Sequence, residues 1–413
     1  MNSSNSTTDN TERLKDKSAL TRQWEAIDWV QVKNYVNRLQ TRIAKATVKG
    51  DKNRVKRLQY LLTHSFYAKA YAVKKVTSNK GKNTSGIDKK LWSTSAAKMK
   101  ATLTVTDKHY RAKPLRRVFI EKKGKNKKRP LGIPTMYDRT MQTLYALALE
   151  PIAETTGDNI SFGFRRGRSA KDACEQIFCV LARKCSPTWV LEGDIKGCFD
   201  NINHNWLLEN IPTDKRIMNQ FLKSGFVYKG KLFPTDTGSP QGGAISSLYA
   251  NMTLDGLEKL IQDKYHRNSK GKIENHYRAK TKVNFVRYAD DFIITANTKE
   301  IAEEVKNLVS QFLKARGLTL SEEKTMITHI DKGFDFLGWT FRKFKGKLIT
   351  KPSKTSIKTL IQKCATIILK EGKATSQSEL IRRLNQVIKG WSNYHRHVVA
   401  SQAFSYINNA LYL

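Results

Sequence analysis

Asp194 closes the apolar run WVLEGDI (189–195), and Asp290 and Asp291 lie inside FVRYADDFIIT (285–295), where two apolar runs flank a short turn. The chain holds 75 Lys and Arg against 36 Asp and Glu, so carboxylates gathered at strand ends need a reason. Phosphoryl transfer supplies one. Two Mg2+ ions about 3.5 to 4 Å apart can clamp an attacking hydroxyl and a leaving group. Mg2+ takes a few hard oxygen ligands from the protein and the rest from phosphates and water, which two or three Asp satisfy; Mn2+ is the alternative ion. Neighbouring strand residues face opposite sides, so the two adjacent acids should play unequal roles, and Asp290 is the expected partner of Asp194. Asp pairs are also common in turns, so Asp-Asp alone is a weak signal.

The surroundings strengthen it. A net charge of +39 on 413 residues repels itself and suits a polyanionic partner. Hydrophobic residues at 39% and charged residues at 27% fit a folded chain of two or three domains. No run of about 18 apolar residues is present, so no membrane span is expected. The polar start MNSSNSTTDNTERLKDK lacks the apolar stretch of a secretory signal. Cysteines at 174, 179, 185, 198 and 364 form no C-x-x-C pair and no even set. They read as reduced thiols in a cytoplasmic protein, and their spacing disfavours a zinc site.

The elements that must position the acids follow from periodicity. Residues 1–20 are polar and read as disordered. Residues 21–95 read as a helical extension, with Val32, Val36, Leu39 and Ile43, then Val55, Leu58, Leu62 and Phe66 after Gly50, forming a helical hairpin with a basic outer face. Segment 111–129 holds ten Lys or Arg in nineteen residues around a short apolar run, a β-hairpin with a positive tip. Residues 244–261 read as one helix, and 299–316 as an amphipathic helix ended by Gly317. From about 345 the pattern is helical only, with Ser376 and Glu379 as a possible capping box. The whole is an α+β middle between a basic helical arm and a basic helical tail.

Taken together, RYADDF, the preceding DIKGCFDNI and the intervening GSPQGGAISSLYAN resemble the reverse transcriptase family. The motif variants are most similar to group II intron-encoded proteins, called maturases when they help their intron splice. RPLGIPTMYDR, SFGFRRGRSAKDA, LTLSEEKT and FDFLGWTF extend the resemblance from about Trp24 to the C-terminus. It implies a right-hand polymerase: fingers and an antiparallel palm sheet over 96–340, a helical N-terminal extension, and a helical thumb or maturase domain over 341–413. It implies metal binding by Asp194, Asp290 and Asp291, and a proton from Lys324 for the leaving pyrophosphate. Phe199 would be the steric gate against a ribose 2′-hydroxyl, and Gln241 and Gly242 would lie beneath the incoming dNTP and template base. Arg129, with Lys122 or Lys123, would hold the triphosphate, and Phe336, Leu337 and Gly338 would form the primer grip. The implied partners are dNTPs, an RNA template, the RNA–DNA hybrid and a cognate intron RNA. The implied activity is RNA-directed DNA synthesis that also serves splicing and retrohoming. Two other roles remain open: a polymerase co-opted for phage defence, CRISPR spacer acquisition or repair, and an RNA-binding splicing cofactor. KGWSNYHRH stands near the end, and with no H-N-H-like or C-x-x-C cluster, no nicking of target DNA is expected from this chain.

Overall fold

The computed structural model describes residues 16–121, 128–268, 270–274 and 279–412. They divide into two units, one of Met1–Asp158, Lys196–Gly256 and Phe312–Thr319, the other of Asn159–Ile195, Leu257–Gln311 and Leu320–Leu413. Among the described residues no helix is long and apolar enough to cross a membrane.

In the first unit, three-to-four spacing of apolar residues gives helices, and side-chain caps decide where they break. Asp28 accepts the backbone N–H groups of Val30 and Gln31 and starts the helix Trp29–Val48, which buries Val32, Val36, Leu39 and Ile43. Ser65 caps the next break by accepting from Ala68. The expected hairpin is therefore three helices, with Phe66 opening Phe66–Ser78 and not extending Lys52–His64. A helix also covers 16–25, so residues 16–20 are helical where the sequence suggests disorder; residues 1–15 lie outside the description. The boundary at 95 moves as well. The helix Ser95–Thr104 buries Met99 and Ala101 against Trp24 and Val73, which makes it part of the extension.

Strands are numbered along the chain. β1 (Leu115–Glu121) and β2 (Lys128–Ile133) form the expected antiparallel hairpin, while β4 (Phe226–Tyr228) joins β1 in parallel and pairs with β5 (Lys231–Phe233). Lys122 and Lys123 lie outside the described residues.

The second unit contains a four-stranded antiparallel sheet in the order β6-β7-β3-β8: β6 is Asn284–Tyr288, β7 Asp291–Ala296, β3 Trp189–Asp194 and β8 Met326–His329. Val190, Val286 and Ile293 turn one face into a core shared with Ala173 and Ile177 of the helix Ala170–Leu181 and with Phe334, Phe336 and Trp339. Those last residues belong to a second sheet, β9 (Phe334–Phe336), β10 (Trp339–Phe344) and β11 (Lys347–Pro352). A boundary at 341 would cut β10. Alternating burial in β10 and its six-residue ladder with β11 carry strand structure to Pro352, and the helical tail begins at Lys354. There Ser376 does cap a helix, Gln377–His395, by accepting from Glu379 N–H. The single helix expected over 244–261 is broken at Asp255 and Gly256, the glycine having φ 95°.

One buried cation ties the first unit's loop to its longest helix. Arg139, on Met136–Thr156, donates to the carbonyls of Pro134, Gly81 and Thr84. Desolvation holds its guanidinium below the usual arginine range. Arg139→Met should leave those carbonyls without their donor and lower stability by about 2–4 kcal/mol, read by chemical denaturation; an unchanged midpoint would refute this role.

Candidate active site

The β6–β7 hairpin is closed by Ala289 and Asp290, since Tyr288 and Asp291 form its last pair. Ala289 has φ 58°, a left-handed conformation that L-residues other than Gly, Asn and Asp adopt at a cost. This turn settles which acid faces Asp194. Asp291, not Asp290, stands opposite Asp194 in the β3–β7 ladder, because Asp290 sits in the turn and outside the register.

Lys324 Nζ lies 2.6 Å from Asp194 Oδ2. Its segment is anchored by the same aspartate: Ser321 N–H donates to the Asp194 carbonyl at 2.8 Å, and Ile195 bridges to Leu320. Burial, followed by the nearby charges of Asp290 and Asp194, pushes the Asp291 carboxyl up to about 7, with Lys324 opposing the shift. Its neighbours crowd the carboxyl, yet the residue keeps an open face to solvent. A carboxyl raised by burial and neighbouring carboxylates that remains reachable from solvent is suited to a hard dication, which would remove the repulsion and satisfy its oxygens.

Glu192, missed by the sequence reading, lies on the same β3 face as Asp194. It accepts from Thr328 Oγ1 at 3.2 Å, and burial pushes it up to about 7. The strand period of two from Asp194 was the signal that could have found it.

Phe336 is buried at the end of β9, and Leu337 (φ 50°) and Gly338 (φ 85°) make the following turn. The tail helices hold that turn. Tyr394 Oη donates to the Leu337 carbonyl at 2.8 Å, and Ser353 N–H donates to the Gly338 carbonyl at 2.9 Å. Trp339 stacks on Tyr394 with centroids 4.5 Å apart, and Ser356 Oγ meets both His395 Nε2 and Trp391 Nε1 at 3.0 Å.

In the first unit a loop carrying Gln241 and Gly242 links Phe199 to the strand of Arg129. Phe199, half-buried on the short helix Cys198–Asn201, gives its carbonyl to Ser239 N–H at 2.7 Å. A Cβ at Gly238 would fall 2.5 Å from that carbonyl, so only glycine allows the approach. Further along, the Gln241 carbonyl accepts from Gly132 N–H at 2.7 Å, and a Cβ on Gly242 would fall 2.6 Å from the Gly132 carbonyl. The loop thus runs from Phe199 to β2, the strand that carries exposed Arg129.

Comparison with known proteins bears on the family. Residues 120–341 match the family described as reverse transcriptase (RNA-dependent DNA polymerase), and residues 24–105 match the N-terminal domain of reverse transcriptase. Residues 357–413 match the group II intron maturase-specific domain. The chain is 34% identical over 358 residues to group II intron-encoded protein LtrA of Lactococcus lactis subsp. cremoris, covering 73% of this chain and 59% of LtrA. It is 30% identical over 338 residues to protein YkfC of Escherichia coli strain K12, covering 73% of this chain and 87% of YkfC. Maturase-like protein 1 of Euglena gracilis is 24% identical over 382 residues, covering 89% of this chain and 76% of that protein. The chain accordingly spans about three fifths of the length of LtrA. With its antiparallel palm sheet and YADD turn, it belongs to the reverse transcriptase family, of the right-hand polymerase fold, in the group II intron-encoded lineage.

Proposed function

We propose that this chain is an RNA-directed DNA polymerase that copies RNA into DNA by two-metal nucleotidyl transfer, and that it binds its group II intron RNA to aid splicing and retrohoming. The observation that carries the reading is the carboxylate group itself: Asp194 opposite Asp291, Asp290 on the adjoining turn, and Lys324 at 2.6 Å from Asp194. Reverse transcriptases work with divalent cations. Two Mg2+ ions, or Mn2+ in their place, would activate the primer 3′-hydroxyl and neutralise charge on the triphosphate.

The chain's own groups would do the rest. Asp194, Asp290 and Asp291 would hold the cations. As the 3′-hydroxyl gives up its proton to solvent, its oxygen bonds to the α-phosphorus and the bond to pyrophosphate breaks, and the Lys324 ammonium would give a proton to the leaving oxygen. Phe199, five residues after Asp194, would deny space to a 2′-hydroxyl. Gln241 and Gly242 would form the floor under the new base pair. Arg129, with Lys122 or Lys123, would bind the triphosphate, and the turn at Phe336, Leu337 and Gly338 would grip the primer end. A net charge of +39 favours phosphate contacts along an RNA–DNA hybrid. The maturase-specific match and the intron-encoded relatives support a structured intron RNA as partner. Five free thiols suit a reducing cytoplasm.

Asp290→Ala should reduce primer extension on an RNA template to background; extension at the wild-type rate would refute the polymerase reading. Phe199→Ala should lower the preference for dNTPs over rNTPs by about 10- to 100-fold, measured as a ratio of kcat/KM, and an unchanged ratio would remove the gate from Phe199. A third expectation concerns pH. Unfolded Asp titrates near about 3.9, whereas folded Asp291 titrates at about 7. Between those values the folded chain holds a proton that the unfolded chain lacks, so this contribution to stability is lost as pH rises through 7. Mg2+ prefers the ionised carboxylate and should therefore raise Tm more at pH 8 than at pH 6. Asp291→Asn should flatten that difference, and an equal increment at both pH values in the wild type would contradict the assignment.

A further inference from the structure

We propose that Gly163 is a positioning residue for the polymerase reaction, its lack of a side chain letting segment 160–163 press against the catalytic turn and fix where Asp290 stands. The proposal rests on the polymerase reading above. A Cβ on Gly163 would lie 2.4 Å from Ala289 N, 2.9 Å from Ala289 Cβ and 3.0 Å from the Tyr288 carbonyl carbon. Two of these are backbone atoms of the turn that carries Asp290 and the third is a Cβ fixed directly to that backbone, so none has a flexible end that could swing aside. Gly163 is not among the glycines with positive φ, so backbone conformation does not demand glycine here. Space does. Gly167, four residues on, is the opposite case, with φ 71° and nothing within 4 Å of its would-be Cβ.

The same segment is bonded to the hairpin. Phe162 N–H donates to the Arg287 carbonyl at 2.9 Å, and Arg287 N–H donates to the Ile160 carbonyl at 3.0 Å, a parallel bridge centred on Ser161. Arg168 Nη1 donates to the carbonyls of Asn159 and Ser161, both at 2.7 Å, and steadies the segment from its other side. Phe162 is buried in the core beneath the sheet. From within the hairpin, buried Arg287 reaches the Ala289 carbonyl through Nη1 at 3.4 Å.

An external clamp answers a weakness of the turn. Ala289 at φ 58° occupies a left-handed conformation that an L-residue adopts only at a cost, so the turn needs support from outside the hairpin. The Asp290 carboxylate follows from the dihedral angles of Ala289, and a ligand group must be held within about 0.5 Å to be productive. Segment 160–163 supplies the contact that keeps the turn in its strained form. Gly163 acts through Ala289.

The experiment compares wild type, Gly163→Ala and Gly167→Ala by three readouts: Tm, Mn2+ binding followed by electron paramagnetic resonance without nucleic acid, and steady-state primer extension. Gly163→Ala should stay folded, bind Mn2+ several-fold more weakly and lose about 10- to 100-fold in kcat, with the KM for dNTP within about twofold. Gly167→Ala introduces left-handed strain away from the turn, and should lower Tm while leaving Mn2+ affinity and kcat as in wild type. Wild-type Mn2+ affinity and kcat in folded Gly163→Ala would overturn the proposal, and so would equal losses in both variants. If circular dichroism finds Gly163→Ala unfolded, Arg168→Met carries the test through Mn2+ affinity alone: weaker binding at native Tm supports the clamp, and unchanged binding overturns it. A wild-type protein without Asp290-dependent synthesis would sink the polymerase reading instead, a result separate from the Mn2+ comparison.

Discussion

Asp291 is held beside the charges of both Asp290 and Asp194 in the second unit, and the packing around its strand fixes that crowding in place. The β3–β7 register sets Asp194 against Asp291. One step back in the same ladder, the ring of Phe292 covers Gly193 so closely that a Cβ there would fall 2.1 Å from it. A one-residue slip would drive that ring into the side chain of Glu192 or Asp194 and send every residue of the strand to the opposite face of the sheet. Register is therefore fixed by packing one residue away from the charge. Lys324 adds a local cation, brought there because its own segment hangs on the Asp194 backbone.

Elsewhere in the chain, turns and loops likewise take their shape from main chain and packing more than from surface ion pairs. The turn at Leu337 and Gly338 owes its shape to hydrogen bonds from Tyr394 and Ser353 and to the stacking of Trp339 on Tyr394. In the first unit, glycines at 238 and 242 let the loop come within reach of the carbonyls of Phe199 and Gly132. A ligand-holding group placed in this way loses little entropy when its ligand arrives, which is the physical advantage of preorganisation.

Motif and geometry contribute differently to the functional reading. The motif order ties the chain to its family. The geometry adds that an acid pushed up to about 7 faces a second acid across a ladder while remaining open to solvent.

Much of this was legible in the sequence. The amphipathic helix over Lys299–Lys314, the strand ending at Asp194, the strand–turn–strand around Asp290 and the charged β-hairpin all follow from short-range periodicity, which acts through neighbours a few residues apart. The acids themselves were conspicuous because the chain is so basic. Periodicity did not show that Ser65 divides a helix, that strands continue to Pro352, or that Asp291 and not Asp290 faces Asp194. Nor could it reveal why Gly163 must be glycine, since the atoms that exclude a side chain belong to Ala289 and Tyr288, far along the chain. Residue types and their spacing determined the elements and the chemistry available to them. Register, close approach and the crowding that raises a pKa arise only between segments distant in sequence, and those were decided by the tertiary structure.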